Sequence, residues 1–153
     1  MKMIDDVTKF HETYNVPILD SPQFPSEVRM LLRQDIIEEE IDELYDAMGC
    51  LRDEIASVYG LDKDQADIVE VADAIADAIY VLIGTALEFG IPLEKVWNEV
   101  HRSNMSKLDD DGNPVYREDG KVLKSNNFSP PDIASIIYEK TGKNGVGQKS
   151  DPQ

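Results

Sequence analysis

The sequence predicts an all-α fold, a helical bundle with one short β-hairpin near the C-terminus. Two observations carry that expectation. Apolar residues recur at spacings of three, four and seven from Glu27 to about Met48 and fill residues 68–90 almost all round, segments closed by Gly49 and Gly90, whereas β-formers alternate in "GNPVYREDGKVLKS". With 153 residues the chain is long enough for one domain with a real core, taken as residues 1–141, and the tail 142–153 is expected to be disordered.

Residues 3–14 are expected to form a short amphipathic helix. The turn-rich "NVPILDSPQFPS" then carries three prolines, which forbid a continuous helix. Ser26 is placed to cap the first long helix, Glu27 to about Met48, whose apolar stripe is Leu31, Ile37, Ile41, Leu44 and Met48. After a break at Gly49, "CLRDEIASVYG" reads as another short helix. The second long helix is "IVEVADAIADAIYVLIGTALEFG", residues 68–90. Pro92 suits the first turn of a third helix running to about Ser103. Asp119-Gly120 then marks the hairpin, and "SPPDIASIIYEKTG" opens as a final helix does, with proline followed by periodic apolar residues. No internal repeat is visible.

Fifteen Lys and Arg against thirty-one Asp and Glu give a formal charge of −16, which repels nucleic acid and anionic membrane surfaces. Neither is expected as a partner. The lone Cys50 cannot form an internal disulfide and fits a reducing cytoplasm, and "MKMIDDVTKF" has no apolar core of a signal peptide. Residues 68–90 are greasy enough to raise the membrane question. Glu70, Asp73 and Asp77 make spanning costly, so the segment reads as a buried helix of a soluble protein.

On a helical wheel those three acids fall within about 60° of one another, on a rod otherwise apolar almost all round. An unpaired buried carboxylate costs several kcal/mol or takes up a proton, so something positive must compensate. The first long helix carries "IIEEEIDELYDAM". Glu38, Asp42 and Asp46 read as a solvated face. Glu40 lies only about 40° from the centre of the apolar stripe, with Glu43 about 60° further round and Glu39 one turn before Glu43. Two core helices thus offer acids at i, i+3 spacing, Glu40 with Glu43 and Glu70 with Asp73. Packed antiparallel, they would surround one pocket with hard oxygen donors suited to Mg²⁺ or Mn²⁺. Zinc would call for His or Cys. A di-iron bundle needs Glu-x-x-His pairs, and neither His11 nor His101 has a Glu three residues before it.

"EEIDEL" followed by "EVADAIAD" resembles the E-x-x-E then E-x-x-D signature of the all-α nucleoside triphosphate pyrophosphohydrolases, the MazG-like superfamily. "KFHETYNVP", "GTALEFGI", "VHRSNMSKL", "DGNPVYREDGKVLKS" and "PPDI" extend the likeness, over roughly residues 7–137, to the subgroup related to phosphoribosyl-ATP pyrophosphohydrolases. Within it the chain most resembles MazZ-type phage enzymes, which implies dGTP or GTP as substrate and, for a phage product, the host cytoplasm. The resemblance implies hydrolysis between the α and β phosphates, giving a nucleoside monophosphate and pyrophosphate. It places Glu40, Glu43, Glu70 and Asp73 at the metal-binding positions. Asp77 precedes Tyr80 as the signature Asp of many relatives precedes an aromatic, yet the Glu that this register requires is replaced by Ala74. Both Asp73 and Asp77 therefore stand as ligands.

The chemistry agrees. A triphosphate brings about four negative charges to a pocket lined by acids, so two or three divalent ions are expected to bridge them, activate water and stabilise the leaving group. Glu39 or Glu43 is the candidate to orient the water. No glycine-rich lysine loop of the P-loop type is present. Arg102, Asn104, Lys107, Lys121 and Lys124 are candidates for the outer phosphates, Asn126 for a base edge, and Trp97 or Phe128 for stacking. His11 reads as structural, and His101 as a possible helix-end cap. "DDDGNPVYREDG" has acids at calcium-loop spacing but Pro114 and Gly120 at the sixth and twelfth positions, so it reads as a turn. Homodimers or homotetramers are implied by the resemblance. The alternatives are a dUTP, dCTP or broad house-cleaning pyrophosphatase of the same fold, and a non-enzymatic acidic helical module for a basic partner.

Overall fold

The computed structural model describes residues 1–53, 58–62 and 65–138. The expected tail, 142–153, and the far end of the last helix lie outside the described residues. The elements are α1 (Lys2–Tyr14), α2 (Glu27–Ala47), β1 (Cys50–Asp53), β2 (Val58–Leu61), α3 (Ile68–Glu88), α4 (Leu93–Met105) and α5 (Ile133–Ile137), so the chain is mostly helical, as its periodicity predicts. Ser26 caps α2 as expected, its Oγ accepting the Arg29 N–H at 3.4 Å. Asp67 caps α3 through Val69 N–H at 2.7 Å. At the other end of α3, Gly90 adopts φ 62. Its N–H reaches Leu87 O and that of Ile91 reaches Ala86 O, the paired bonds of a Schellman turn.

α2 and α3 pack antiparallel as the main contact of the chain, and α1 packs on α3. Among the described residues the buried apolar set is small: Val7, Ala47, Ala74, Ala78, Ile83 and Ala86. What locks the helix pair is polar. Glu88 of α3 is 0% exposed. Its carboxylate accepts a fork from Arg29, Nε at 2.8 Å and Nη2 at 2.6 Å, with Arg33 Nη1 at 3.6 Å. Arg33 also donates to Thr85 Oγ1 at 3.0 Å and to Val81 O. The bond to Glu88 raises the Arg29 pKa, whereas burial, opposed by Glu88, lowers that of Arg33. His11 is buried beside this cluster. Its Nδ1–H donates to Pro17 O at 3.1 Å, and a Cβ at Gly84 would lie 2.8 Å from its Nε2 and 3.2 Å from Arg33 Nη2. Only glycine leaves room for both. Glu88 is a fourth acid in the greasy segment, and the buried one.

The structure corrects two expectations. First, "CLRDEIASVYG" is not a helix: Cys50–Asp53 and Val58–Leu61 pair antiparallel, Cys50 opposite Leu61 and Asp53 opposite Val58. Gly49, at φ 68, explains why. Its carbonyl accepts Asp62 N–H at 2.8 Å, and a Cβ there would meet Asp62 O at 2.2 Å, so the chain closes on itself at this point. Asp67 N–H returns to Ala47 O at 3.1 Å, and the hairpin spans the gap between α2 and α3. Second, α3 is not buried all round. Ile68 is 79% and Val69 73% exposed, Ile75, Ile79 and Leu82 are exposed as well, and so are Glu70, Asp73 and Asp77. α1 and α2 cover only part of its circumference.

Beyond α3 the chain turns through 116° into α4, which packs on α5. Among the described residues no single helix is long and apolar enough to cross a membrane. The expected C-terminal hairpin is present in reduced form, as a single bridge, Tyr116 to Val122, around a turn at Gly120. Ser106 and Ser125 staple this arm: Ser106 Oγ accepts Ser129 N–H at 2.9 Å, and Ser125 Oγ donates to Leu108 O at 2.6 Å.

Candidate metal and active site

The acids of the two long helices meet at the end of the pair remote from Glu88. Glu43, Asp46, Glu70, Asp73 and Asp77, with Ala47 and Ala74 between them, line one cleft of about 280 Å³. Both Asp73 and Asp77 face it, so the two registers of the signature converge on one site. Glu40 stands half-buried beside the cleft. Burial, then Asp77, Glu43 and Glu39, push its carboxyl above the usual range. Glu39 is exposed and does not line the cleft. Among the described residues no Lys or Arg forms an ion pair with any of these carboxylates.

The donor set is the right chemistry for a hard divalent cation, all carboxylate oxygen. Its spacing is open: among the described residues no three of His, Cys, Asp and Glu converge tightly enough to hold an ion as they stand. Like charges across a solvated cleft hold one another apart, and exposed carboxylates have the freedom to turn inward.

The cationic and amide candidates lie elsewhere. None of Arg102, Asn104, Lys107, Lys121, Lys124 and Asn126 lines the cleft. Arg102 grips Glu99, Nε to Oε2 at 2.8 Å and Nη2 to Oε1 at 2.7 Å, and donates to Pro130 O. That bond, with the Asp132 N–H, holds Glu99 at about 2. Lys107 Nζ donates to Asn104 Oδ1 at 2.8 Å, Lys124 sits 4.1 Å above the Phe128 ring, and Lys121 N–H bonds Asp119. Asn126, Trp97 and His101 are exposed on the same arm, whereas His11 is in the core. Asp46 was missed because it was counted with the solvated face. The signal was there, since Asp46 extends the i, i+3 series of Glu40 and Glu43 by one step.

Residues 7–104 match the family pattern of phosphoribosyl-ATP pyrophosphohydrolase. That span runs from α1 to α4 and holds every acid of the cleft, together with Arg102 and Asn104. Lys107, Lys121, Lys124 and Asn126 lie past it. No curated protein matches the chain. Among solved structures, a provisionally assigned NTP pyrophosphohydrolase from Exiguobacterium sp. 255-15 is 25% identical, over 91% of this chain and 95% of that one, with a TM-score of 0.46. That score is too low for the likeness to bear on fold or function.

Proposed function

The chain belongs to the phosphoribosyl-ATP pyrophosphohydrolase family and is a hydrolase of pyrophosphate bonds, and from that premise we propose that it cleaves nucleoside triphosphates between the α and β phosphates, dGTP and GTP foremost. The observation that carries this reading is the cleft, where five acids from α2 and α3, all within the family match, line one pocket. Members of this family generally use divalent metals, and we take the ions here to be Mg²⁺ or Mn²⁺, two or three per site, held by Glu40, Glu43, Glu70, Asp73 and Asp77. Bound there, they would supply charge neutralisation and an acidified water.

The protein's own contribution is placement. Glu70, Asp73 and Asp77 present carboxylates along one face of α3, and Glu43 opposes them from α2. Glu43 lines the cleft and is better placed than Glu39 to orient a water. Glu40 holds its proton more tightly than an ordinary glutamate, because its surroundings are half-dry and its neighbours are anions. The guanine preference rests on the resemblance of "HRSNMSKL" and its neighbours, since the acids handle phosphate and not base.

Arg102, Asn104, Lys107, Lys121, Lys124 and Asn126 are proposed to meet the outer phosphates and the base. None faces the cleft within one chain, so this role calls for the arm of a second copy, in keeping with a homodimer or homotetramer. The exposed apolar flank of α3, with a 310 Å³ groove between it and α1, supports such association. The place of action is taken as the cytoplasm.

The test is ion chromatography of products after incubation with the eight common triphosphates and phosphoribosyl-ATP, each with Mg²⁺ and with Mn²⁺. Monophosphate and pyrophosphate are expected, fastest from dGTP or GTP. Diphosphate with orthophosphate would exclude the reaction, and faster turnover of another base would exclude the guanine preference.

A further inference from the structure

The buried charge cluster and the acidic cleft lie on the same two helices at opposite ends, and their spacing links them. From Arg29 to Glu40 is eleven residues along α2, and from Glu88 back to Asp77 is eleven along α3. Eleven residues make about three helical turns, roughly 16 Å. Arg29 and Glu40 therefore share a face of α2, Glu88 and Asp77 share a face of α3, and the offset that joins Arg29 to Glu88 also sets Glu40 opposite Asp77. One register serves both.

We propose that Arg29, supported by Arg33 and acting through Glu88, is a positioning element for the metal site: its two-point grip fixes the register of α2 on α3 that brings Glu40 and Glu43 against Asp73 and Asp77. This rests on the reading of the cleft given above. At the cleft end the Asp67 N–H, bonded to Ala47 O at 3.1 Å, ties the helix termini together, and the packed side chains add little to that tie. The buried residues at the cleft end, Ala47, Ala74 and Ala78, are small and alike, so their ridges interlock little against sliding. A bidentate guanidinium–carboxylate pair does not tolerate it, because both bonds require one in-plane geometry. Glu88 is shut from water, so a slipped register would leave its charge without a partner. Gly84 keeps the seam open here, letting His11 and Arg33 approach the α3 backbone together.

The register can be read without metal or substrate. In a Cys50→Ala background, nitroxide labels at Asp42→Cys and Val69→Cys report the α2–α3 distance at the acid end by pulsed electron resonance, in samples diluted with unlabelled chain. Adding Arg29→Gln should broaden that distance or move it by up to about one turn, 5.4 Å, while circular dichroism shows the helices intact. Arg29→Lys, which keeps the charge and loses the fork, should fall between. In the same variants without labels, the Mn²⁺ midpoint from titration should rise about tenfold for Arg29→Gln, as for other residues that orient ligands, and by less for Arg29→Lys. An unchanged distance in whichever variant folds overturns the clamp, whatever its melting temperature. A parent chain that binds no Mn²⁺ would instead overturn the functional reading, and the distance would still decide the clamp.

Discussion

The two ends of the α2–α3 pair treat negative charge in opposite ways. At one end a single carboxylate, Glu88, is sealed from water and matched by two arginines. At the other, Glu40, Glu43, Asp46, Glu70, Asp73 and Asp77 crowd one cleft or its rim, and among the described residues no lysine or arginine pairs with any of them. Same helices, same register, opposite bookkeeping. A chain selected for stability alone would separate or neutralise six such groups, since mutual repulsion costs folding energy. The matched end is structure, and the unmatched end is the proposed cation site.

The largest effect that tests this contrast is on catalysis. Asp73→Asn and Glu43→Gln keep the shape of the cleft and each remove one charge, so kcat/KM for the proposed substrate dGTP should fall about 10³-fold, near 4 kcal/mol of transition-state stabilisation. The melting temperature of the metal-free protein should not fall. At the matched end the same kind of change should do the reverse. Glu88→Ala strands Arg29 and Arg33 against a cavity, and urea unfolding should show a loss of about 3–5 kcal/mol. If Glu88→Ala proved neutral and Asp73→Asn unfolded the chain, the division of the helix pair into a structural and a functional end would be wrong.

Much of this division could be read before any coordinates. The two long helices follow from apolar periodicity and from Ser26, Gly49 and Gly90, which act locally, and the acids of α3 stand out because residues 68–79 are otherwise all Ile, Val or Ala. What could not be read depended on contacts far apart in sequence. Glu88 looks unremarkable at the end of a helix, yet Arg29, which grips it, lies 59 residues earlier. "CLRDEIASVYG" holds good helix formers, yet Cys50–Asp53 and Val58–Leu61 pair as strands because Gly49 and Asp62 close the chain across them. The burial of α3 was overestimated for a similar reason: hydrophobicity says that a face seeks cover, and a single chain need not provide it. Asp46 was overlooked because a charge on a helix wheel looks solvated until the facing helix is placed.

The smallest effect is also the most direct measure of the unmatched end. Glu40 has its pKa raised in the folded chain by burial and by Asp77, Glu43 and Glu39, so its contribution to stability is present at low pH and is lost as the pH rises through that folded value. Glu99 is the reference of opposite sign. Arg102 and the Asp132 N–H hold it at about 2 against an ordinary 4.5, so its contribution is present above that ordinary value and is lost as the pH falls toward 2. Carbon-13 carboxyl titration of the metal-free protein should therefore find Glu40 above and Glu99 below the ordinary glutamate value. Glu40→Gln removes the charge that its neighbours repel, and should raise the melting temperature by about 2 °C at neutral pH. The gain should shrink on acidification, as Glu40 in the parent takes up its proton. A gain that persisted unchanged in acid would mean that the glutamine stabilises by packing, and that the cleft stores no repulsion for a cation to relieve.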